Sequence, residues 1–416
     1  MTSAQIPLTA SPGHRAVDFE ERVNFDRLRQ YRYQRALEAL QASDLGALLL
    51  FDNNNIRYLT GVWIGEWTRD KLSRYVVLTR TGELILWDFG SAAIHNRMYS
   101  PWLKPENCLS SITSMRGAVP PDADLAEKAI REIKGRLDDA GVGDMPVGVD
   151  FVELPYLFEM ERQGIRVKDG QQLMLDAREI KSRDEIVLLT TAASMVDGVY
   201  QDIVEALKPG VRENEIVALA NKRLYEMGSD DVESINAVSG ERCNPHPHNF
   251  SDRMIRPGDQ AFFDIMHSYN GYRTCYYRTF NVGRATTAQH DAYKQAREYM
   301  DTAIRAIKPG VMTDQVARLW PKAEDFGLPD EKAAFGLQFG HGLGLALHER
   351  PIISRLTSLE NPREIREGMV FALETYYPAR DGVSAARIEE EVVVTATGNE
   401  VITKFPADEL FIANKY

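Results

Sequence analysis

Gly340-His341-Gly342-Leu343-Gly344-Leu345-Ala346-Leu347-His348-Glu349 decides how this chain is read. It sets two histidines seven residues apart in a segment with three glycines among its first five positions. That spacing would stack both imidazoles on one side of a helix, but each glycine costs about 1 kcal/mol in a helix interior. The stretch is therefore expected to be extended or looped, with its backbone free to run close to a ligand. One imidazole is then available to bind and the other to meet a substrate. A lone segment of this kind would equally suit a surface turn carrying two histidines; its neighbours decide against that.

Downstream, Glu367-Gly368-Met369-Val370-Phe371-Ala372-Leu373-Glu374 and Arg387-Ile388-Glu389-Glu390-Glu391-Val392-Val393-Val394 are apolar, β-branched runs that each deliver a carboxylate, and they read as the arms of a hairpin. Upstream, Gly258 to Asp264 and Tyr272 to Thr279 make a second such pair around Asn270-Gly271, a strong turn signal. An acid inside an apolar strand is disfavoured unless it is paired or bound to a metal. Three of them with a histidine make a cluster.

On these residues the chain resembles the pita-bread family (M24 peptidases), which includes methionine aminopeptidase, Xaa-Pro peptidases, creatinase and the dimethylsulfoniopropionate (DMSP) lyase of marine bacteria. The resemblance covers nearly the whole chain. It implies a metal-ligand set of an Asp, a second Asp eleven residues on, the His of a GHGxG segment, the Glu of a GMxFxxE strand and the Glu of an RIE strand. These fall on Asp264, Cys275, His341, Glu374 and Glu389. Cys275 is the departure. One soft sulfur stands where two bridging oxygens are implied, which disfavours a pair of Mn or Mg ions and suits Zn or Fe. His341, Glu374, Glu389 and the Cys275 thiolate still suffice for a single-metal shell. The expectation is one divalent transition metal ion, zinc or iron, per chain, or none, as in creatinase, with Cys275 then a small buried hydrophobe.

The 416 residues, 44% apolar and 26% charged, suit a globular protein of two or three domains. A net charge of −12 and the lack of basic patches exclude nucleic acid as a partner and leave a small molecule. Three widely spaced cysteines, Cys108, Cys243 and Cys275, suit a reducing compartment. No leader pattern and no apolar run of membrane-spanning length is evident, so no membrane association and a cytoplasmic location are expected.

Residues 1–20 lack periodicity and are expected to be an N-terminal arm. An α/β domain is expected over 21–178: a helix over Phe25–Leu40, a strand over Gly46–Phe51, a turn over Asn53–Gly61, strands at Tyr75–Thr79, Glu83–Trp87 and Val147–Val149, and helices near Asp124–Leu137 and Leu154–Gln163. Its Asn24–Gly61 stretch is similar to the DMSP lyase branch. Ser182 with Glu185 forms a capping-box pattern that opens a helix running to about Leu207, so a catalytic α+β domain is placed over 179–416. That domain repeats itself. Ala206-Leu207-Lys208-Pro209-Gly210-Val211 is matched one hundred residues later by Ala306-Ile307-Lys308-Pro309-Gly310-Val311, and Gly258 precedes Asp264 by six as Gly368 precedes Glu374. A pseudo-twofold pair of hairpins would bring both sets of carboxylates to one centre.

The resemblance further implies a substrate-facing histidine before the first hairpin, at His246 or His248, with His267 and His290 left structural. It implies a homodimer in which the N-terminal domain closes over the partner's site, where Trp63, Trp67 and Arg69 would reach across; a local packing cluster is the plainer reading of these three. Tyr272, Tyr276, Tyr277, Tyr376 and Tyr377 flank the ligand strands, and those facing inward would offer aromatic faces to a substrate cation.

In a hydrolase of this family, Glu374 and His348, with His341, would polarise a carbonyl and move a proton from water to a leaving nitrogen. With fewer than two ions, an activated C–N bond, amide or amidine-like, in a small and cationic substrate is expected over an ordinary peptide. The alternative is a lyase that removes a proton α to a carboxylate of an onium compound; that branch is expected to carry acids where this chain has Cys275 and Phe262. A catalytically dead binding protein is the third reading, and four retained groups, His341, His348, Glu374 and Glu389, argue against it.

Overall fold

The Asn24 side chain accepts a hydrogen bond from Arg27 N, and α1 (Phe25–Ala42) buries Leu28, Ala36 and Leu40. The structure is a computed structural model and describes residues 23–63, 73–111 and 117–416. The expected arm over 1–20, Trp67 and Arg69 lie outside these residues. After α1 come β1 (Ala47–Leu50), α2 (Asn53–Thr60), β2 (Tyr75–Thr79), β3 (Leu84–Phe89), α3 (Ser91–Tyr99), β4 (Cys108–Ser111), α4 (Leu125–Asp139), β5 (Val147–Val149), α5 (Leu154–Arg162), β6 (Val167–Asp169) and α6 (Gln171–Arg178). The strands form one six-stranded mixed sheet in the order β4-β3-β2-β1-β5-β6. Among the described residues no helix is long and apolar enough to cross a membrane.

The turn expected over Asn53–Gly61 is in fact a helix. Asparagine forms helices poorly, but Asp52 caps the amides of Asn54 and Asn55, and Gly61 ends the helix in the left-handed region at φ 70°. Burial of Ile56, Tyr58 and Leu59 supplies the rest.

We place the domain boundary at residue 179, ahead of α7 (Arg183–Ala206), whose capping box of Ser182 and Glu185 is formed. The second half runs α8 (Glu213–Glu226), β7 (Asp231–Ser239), β8 (Gln260–Tyr269), β9 (Tyr272–Val282), α9 (Thr287–Ala306), α10 (Thr313–Ala317), α11 (Glu331–Ala334), β10 (Phe339–Gly342), β11 (Glu349–Ile353), β12 (Val370–Pro378), β13 (Ala385–Val394), β14 (Asn399–Val401) and β15 (Phe411–Ala413). These strands form two sheets, β15-β9-β8-β7 and β11-β10-β12-β13-β14. Asn270 and Gly271 both have positive φ, 49° and 86°, as the tight β8–β9 hairpin requires.

The repeat is visible in the backbone. Gly210 N donates to Ile255 O and Gly310 N to Ile365 O, both at 2.9 Å, while Gly258 N bonds Val282 O and Gly368 N bonds Val394 O. The copies diverge in their helices, since α8 has 14 residues and α10 has 5. The half-sheets meet where β9 faces β13. Side chains make that seam: Thr279 Oγ1 donates to Arg387 O at 2.6 Å, and Glu391 Oε1 accepts from Cys275 N at 2.8 Å and from Thr274 Oγ1 at 2.6 Å.

Candidate active site

Strand register gathers the acids. Asp264 on β8 pairs with Tyr277 on β9, and Met266 with Cys275. Glu374 on β12 pairs with Glu389 on β13, Tyr376 with Arg387, and His341 on β10 with Ala372. Because alternate residues share a face, Asp264, Cys275, Tyr277, Glu374, Arg387 and Glu389 project from the two half-sheets into one buried centre. All six are at most 5% exposed.

The glycine-rich stretch is extended, as expected, through β10 and then loops to β11. His341 is fully buried, its Nδ1 lies 2.9 Å from Gly342 O, and its Nε2 has no hydrogen-bond partner. A proton on Nδ1 leaves the Nε2 lone pair facing the centre. Burial lowers the His341 pKa to about 3, so the ring is neutral. The His348 ring lies 4.5 Å from it, centroid to centroid. His348 also borders a cleft of about 800 Å³ lined by Asp52, Asp150, Phe151, Arg178 and Ala346.

Cys275 Sγ, a nitrogen of His341 and an oxygen of Glu389 lie within 4.8 Å of one another. Among the described residues, His341 Nε2 and Glu389 Oε1 are buried atoms without a hydrogen-bond partner. Two orphaned donors beside a thiol are what a single zinc-like ion would satisfy, so this set fits one ion. Glu374 and Asp264 border this set and have protein partners of their own. Glu374 Oε2 is ion-paired with Arg387 Nη2, and its Oε1 lies 3.7 Å from His341 Nε2. Asp264 accepts from Asn236 Nδ2 at 3.0 Å and from Cys275 Sγ at 3.5 Å.

Burial raises the carboxyl pKa values here. Glu374 is lifted to about 7 by desolvation, with Arg387 pulling the other way. Glu389 is lifted well above the usual range by desolvation and then by Glu374 and Asp264, and Glu391 to about 8 by desolvation. The Cys275 thiol is pushed up by burial and by the acids around it.

Of the paired histidines, His246 is buried and its Nε2 lies 2.9 Å from the Tyr277 hydroxyl, while His248 is exposed, with its ring 3.9 Å from that of His246. Tyr376 joins this wall, its hydroxyl donating to Asn244 Oδ1 at 2.8 Å. Tyr272 does not reach the centre. Its side chain lies three positions from Cys275 and so on the other face of β9, where its hydroxyl donates to Glu185 at 2.9 Å. The Tyr276 hydroxyl is likewise bonded to Asp197. The arrangement expected for a substrate cation is also absent at Tyr277, because the Arg387 guanidinium lies over that ring, 4.1 Å from its centroid. In its own chain Trp63 packs under Arg57, at 5.1 Å, and Arg57 pairs with Asp230, away from the acid cluster. His267 is structural, bonded to Ser229 and to Ala192 O.

Arg387 was not read as a site residue from the sequence, and Tyr277 was read only as an aromatic face for a substrate cation. Each lies two positions from a ligand-strand residue, Glu389 and Cys275, and that period of two was the available signal.

A pita-bread domain with an acid, imidazole and thiol centre, behind a creatinase-like α/β domain, defines the class. Residues 188–396 match the model of metallopeptidase family M24 and residues 32–180 that of the creatinase/prolidase N-terminal domain. The chain belongs to metallopeptidase family M24. It is 26% identical over 402 residues to the dimethylsulfoniopropionate lyase DddP of Roseovarius nubinhibens, covering 92% of this chain and 87% of the lyase. It is 32% identical over 246 residues to the uncharacterized peptidase YqhT of Bacillus subtilis, covering 56% of this chain and 65% of that protein's length. The structure of dipeptidase PepE from Mycobacterium ulcerans superposes with a TM-score of 0.75 at 22% identity, over 94% of this chain and 99% of that one, a likeness of fold.

Proposed function

We propose that this chain is a hydrolase of an amide or amidine-like C–N bond in a small substrate, acting as a homodimer with one divalent transition ion, zinc or iron, per chain. The observation that carries the reading is the pairing of Glu374, its pKa near 7, with an adjacent Cys275, His341 and Glu389 set in which, among the described residues, His341 Nε2 and Glu389 Oε1 have no hydrogen-bond partner.

Cys275, His341 and Glu389 would hold the ion, which when bound polarises the scissile carbonyl as a Lewis acid. Glu374 is the base. Arg387 occupies its Oε2, so Oε1 is the oxygen that takes a proton from the attacking water and passes it to the leaving nitrogen. The water hydroxyl adds to the carbonyl carbon as the C–N bond breaks. His348, at the cleft edge, hydrogen-bonds the substrate and holds the carbonyl toward the centre. Arg387 has Nε and Nη1 without partners, a fixed positive charge that favours a carboxylate-bearing substrate over the cation expected from the tyrosines. His246, fixed by Tyr277, and the more exposed His248 line the same wall. Exposed Ile94, Met98, Tyr99 and Phe158 on α3 and α5 support the dimer.

The near full-length similarity to DMSP lyases supports a second reading, in which Glu374 removes a proton α to a carboxylate and a neutral group leaves. Cys275 and buried Phe262 weigh against DMSP itself as substrate. Zinc- or iron-loaded protein incubated with small activated amides and amidines and with onium carboxylates separates the two. Release of the leaving amine from an amide or amidine supports hydrolysis; an unsaturated acid from the onium compound, without hydrolysis of the others, replaces it with the lyase.

A further inference from the structure

Glu349 follows His348 directly and is buried at 3% exposure, yet nothing in the chemistry above uses it. Its Oε1 accepts from Ala346 N at 3.0 Å and lies 3.3 Å from Arg178 Nε; its Oε2 accepts from Lys181 Nζ at 3.0 Å. The loop that carries His348 is thus wrapped around this carboxylate. It is wrapped tightly enough that a Cβ on Gly344 would come within 2.6 Å of the carboxylate, so a larger residue there would have to displace it.

Neither cation belongs to the loop or to its sheet. Arg178 ends α6 and Lys181 lies in the segment joining the two domains, and they are 2% and 4% exposed. From Arg178 the chain of contacts continues into the N-terminal domain. Arg178 Nη1 donates to Asn55 Oδ1 at 2.6 Å, and Asn55 Nδ2 donates to Asp150 Oδ2 at 2.9 Å. Asp150 follows β5 and accepts from the amides of Phe51 and Asp52, just past β1. The result is an unbroken buried polar path from the carboxyl ends of two strands of the first sheet to the residue beside His348.

Charges are costly to bury unless they are paired in good geometry, and removing one partner strands the others. A path of this kind has one low-energy arrangement, so it fixes position more than it adds stability. We propose that Glu349, clamped by Arg178 and Lys181, is a positioning residue that sets the His348 imidazole against the acid centre, so that the N-terminal domain determines the placement of a histidine in the catalytic domain. The assignment of a catalytic role to His348 rests on the hydrolytic reading; its placement by Glu349 does not.

The test is a ring-selective NMR spectrum of the full-length, metal-free protein with isotope-labelled histidine, which has only eight histidines to resolve. Lys181→Met is the first variant, since it leaves Glu349 paired with Arg178 and the site without a stranded anion. The His348 ring signals are expected to shift or broaden, those of His267 and His290 to stay in place, and Lys181→Arg to return His348 to its native position. Glu349→Gln should move the same signals further. His348 signals unchanged in Lys181→Met, with His267 and His290 native, would overturn the proposal, as would equal disturbance of all histidines in both Lys181 variants, which marks a general structural role. Hydrolysis of small activated amides and amidines by the zinc-loaded protein is a separate measurement: if native protein shows none while His348 moves as expected, the hydrolytic reading fails and the positioning role stands.

Discussion

Arg387 Nη2 is ion-paired with Glu374 Oε2 across the β12–β13 ladder, in a position where both side chains are at most 5% exposed. The pair divides the acid cluster. Glu374 is held by a protein cation, while Glu389, Cys275 and His341 form the set that could hold a metal ion. A buried pair contributes little net stability, but loss of one partner costs about 3–5 kcal/mol because the other charge is stranded. Arg387→Met is therefore expected to lower the thermal midpoint clearly in metal-free protein, measured by calorimetry. A midpoint equal to that of the native protein would mean that the pair is not formed in solution.

Glu374→Gln should reduce turnover by about 10²–10⁴-fold, the usual worth of one proton-transfer group, and His348→Ala, which removes the hydrogen bond that holds the substrate carbonyl, should also lower it. His348→Ala, at an exposed position, should leave the midpoint within a few degrees; Glu374→Gln should lower it, because Arg387 loses its partner. The native rate should rise as pH is raised through about 7, since Glu374 accepts a proton only when ionised and burial holds its pKa there. Steady-state assays across pH read this, and a rate flat from pH 5 to 9 would remove Glu374 as the base.

Elemental analysis should find at most about one transition ion per chain, zinc or iron before manganese, consistent with a thiolate among the donors. Cys275→Asp, which restores a second hard acid between Asp264 and Glu389, should gain a second ion. Two equivalents in the native protein would count against the single-ion reading.

The pKa of Glu349 is shifted in the opposite direction to that of Glu374. Burial raises its pKa, but Lys181, Arg178 and the Ala346 amide outweigh burial, so the folded value lies below the ordinary 4.5. A depressed acid contributes stability that is present above the unfolded pKa and is lost as pH falls through the folded one. The midpoint difference between native protein and Glu349→Gln should thus be largest near neutrality and shrink as pH falls below about 4.5. A difference constant over that range would show Glu349 to be uncharged in the fold.

Light scattering should report a particle of twice the 47.0 kDa chain, persisting at micromolar dilution. A monomer would leave the apolar faces of α3 and α5 unexplained and the dimer reading wrong.

The sequence by itself determined the local and the periodic. Asn270-Gly271 specified a hairpin turn, Ser182 and Glu185 a helix start, and the repeated Lys-Pro-Gly-Val segments a duplicated unit, because each depends on backbone preferences within a few residues. The acids of the centre were legible because a carboxylate in an apolar strand has no other cheap explanation. Only the tertiary structure decided what depends on which strand lies opposite and which face is turned inward. It put Arg387 on Glu374, moved Tyr272 to the far face of β9, made Asn53–Thr60 a helix through a cap and burial, and tied Glu349 to Asn55 through Arg178. The side-chain pairs among these join residues from 13 positions apart, Glu374 with Arg387, to 171 positions apart, Arg178 with Glu349. No local preference encodes such pairs; they form only when folding buries the charges and each must find a partner.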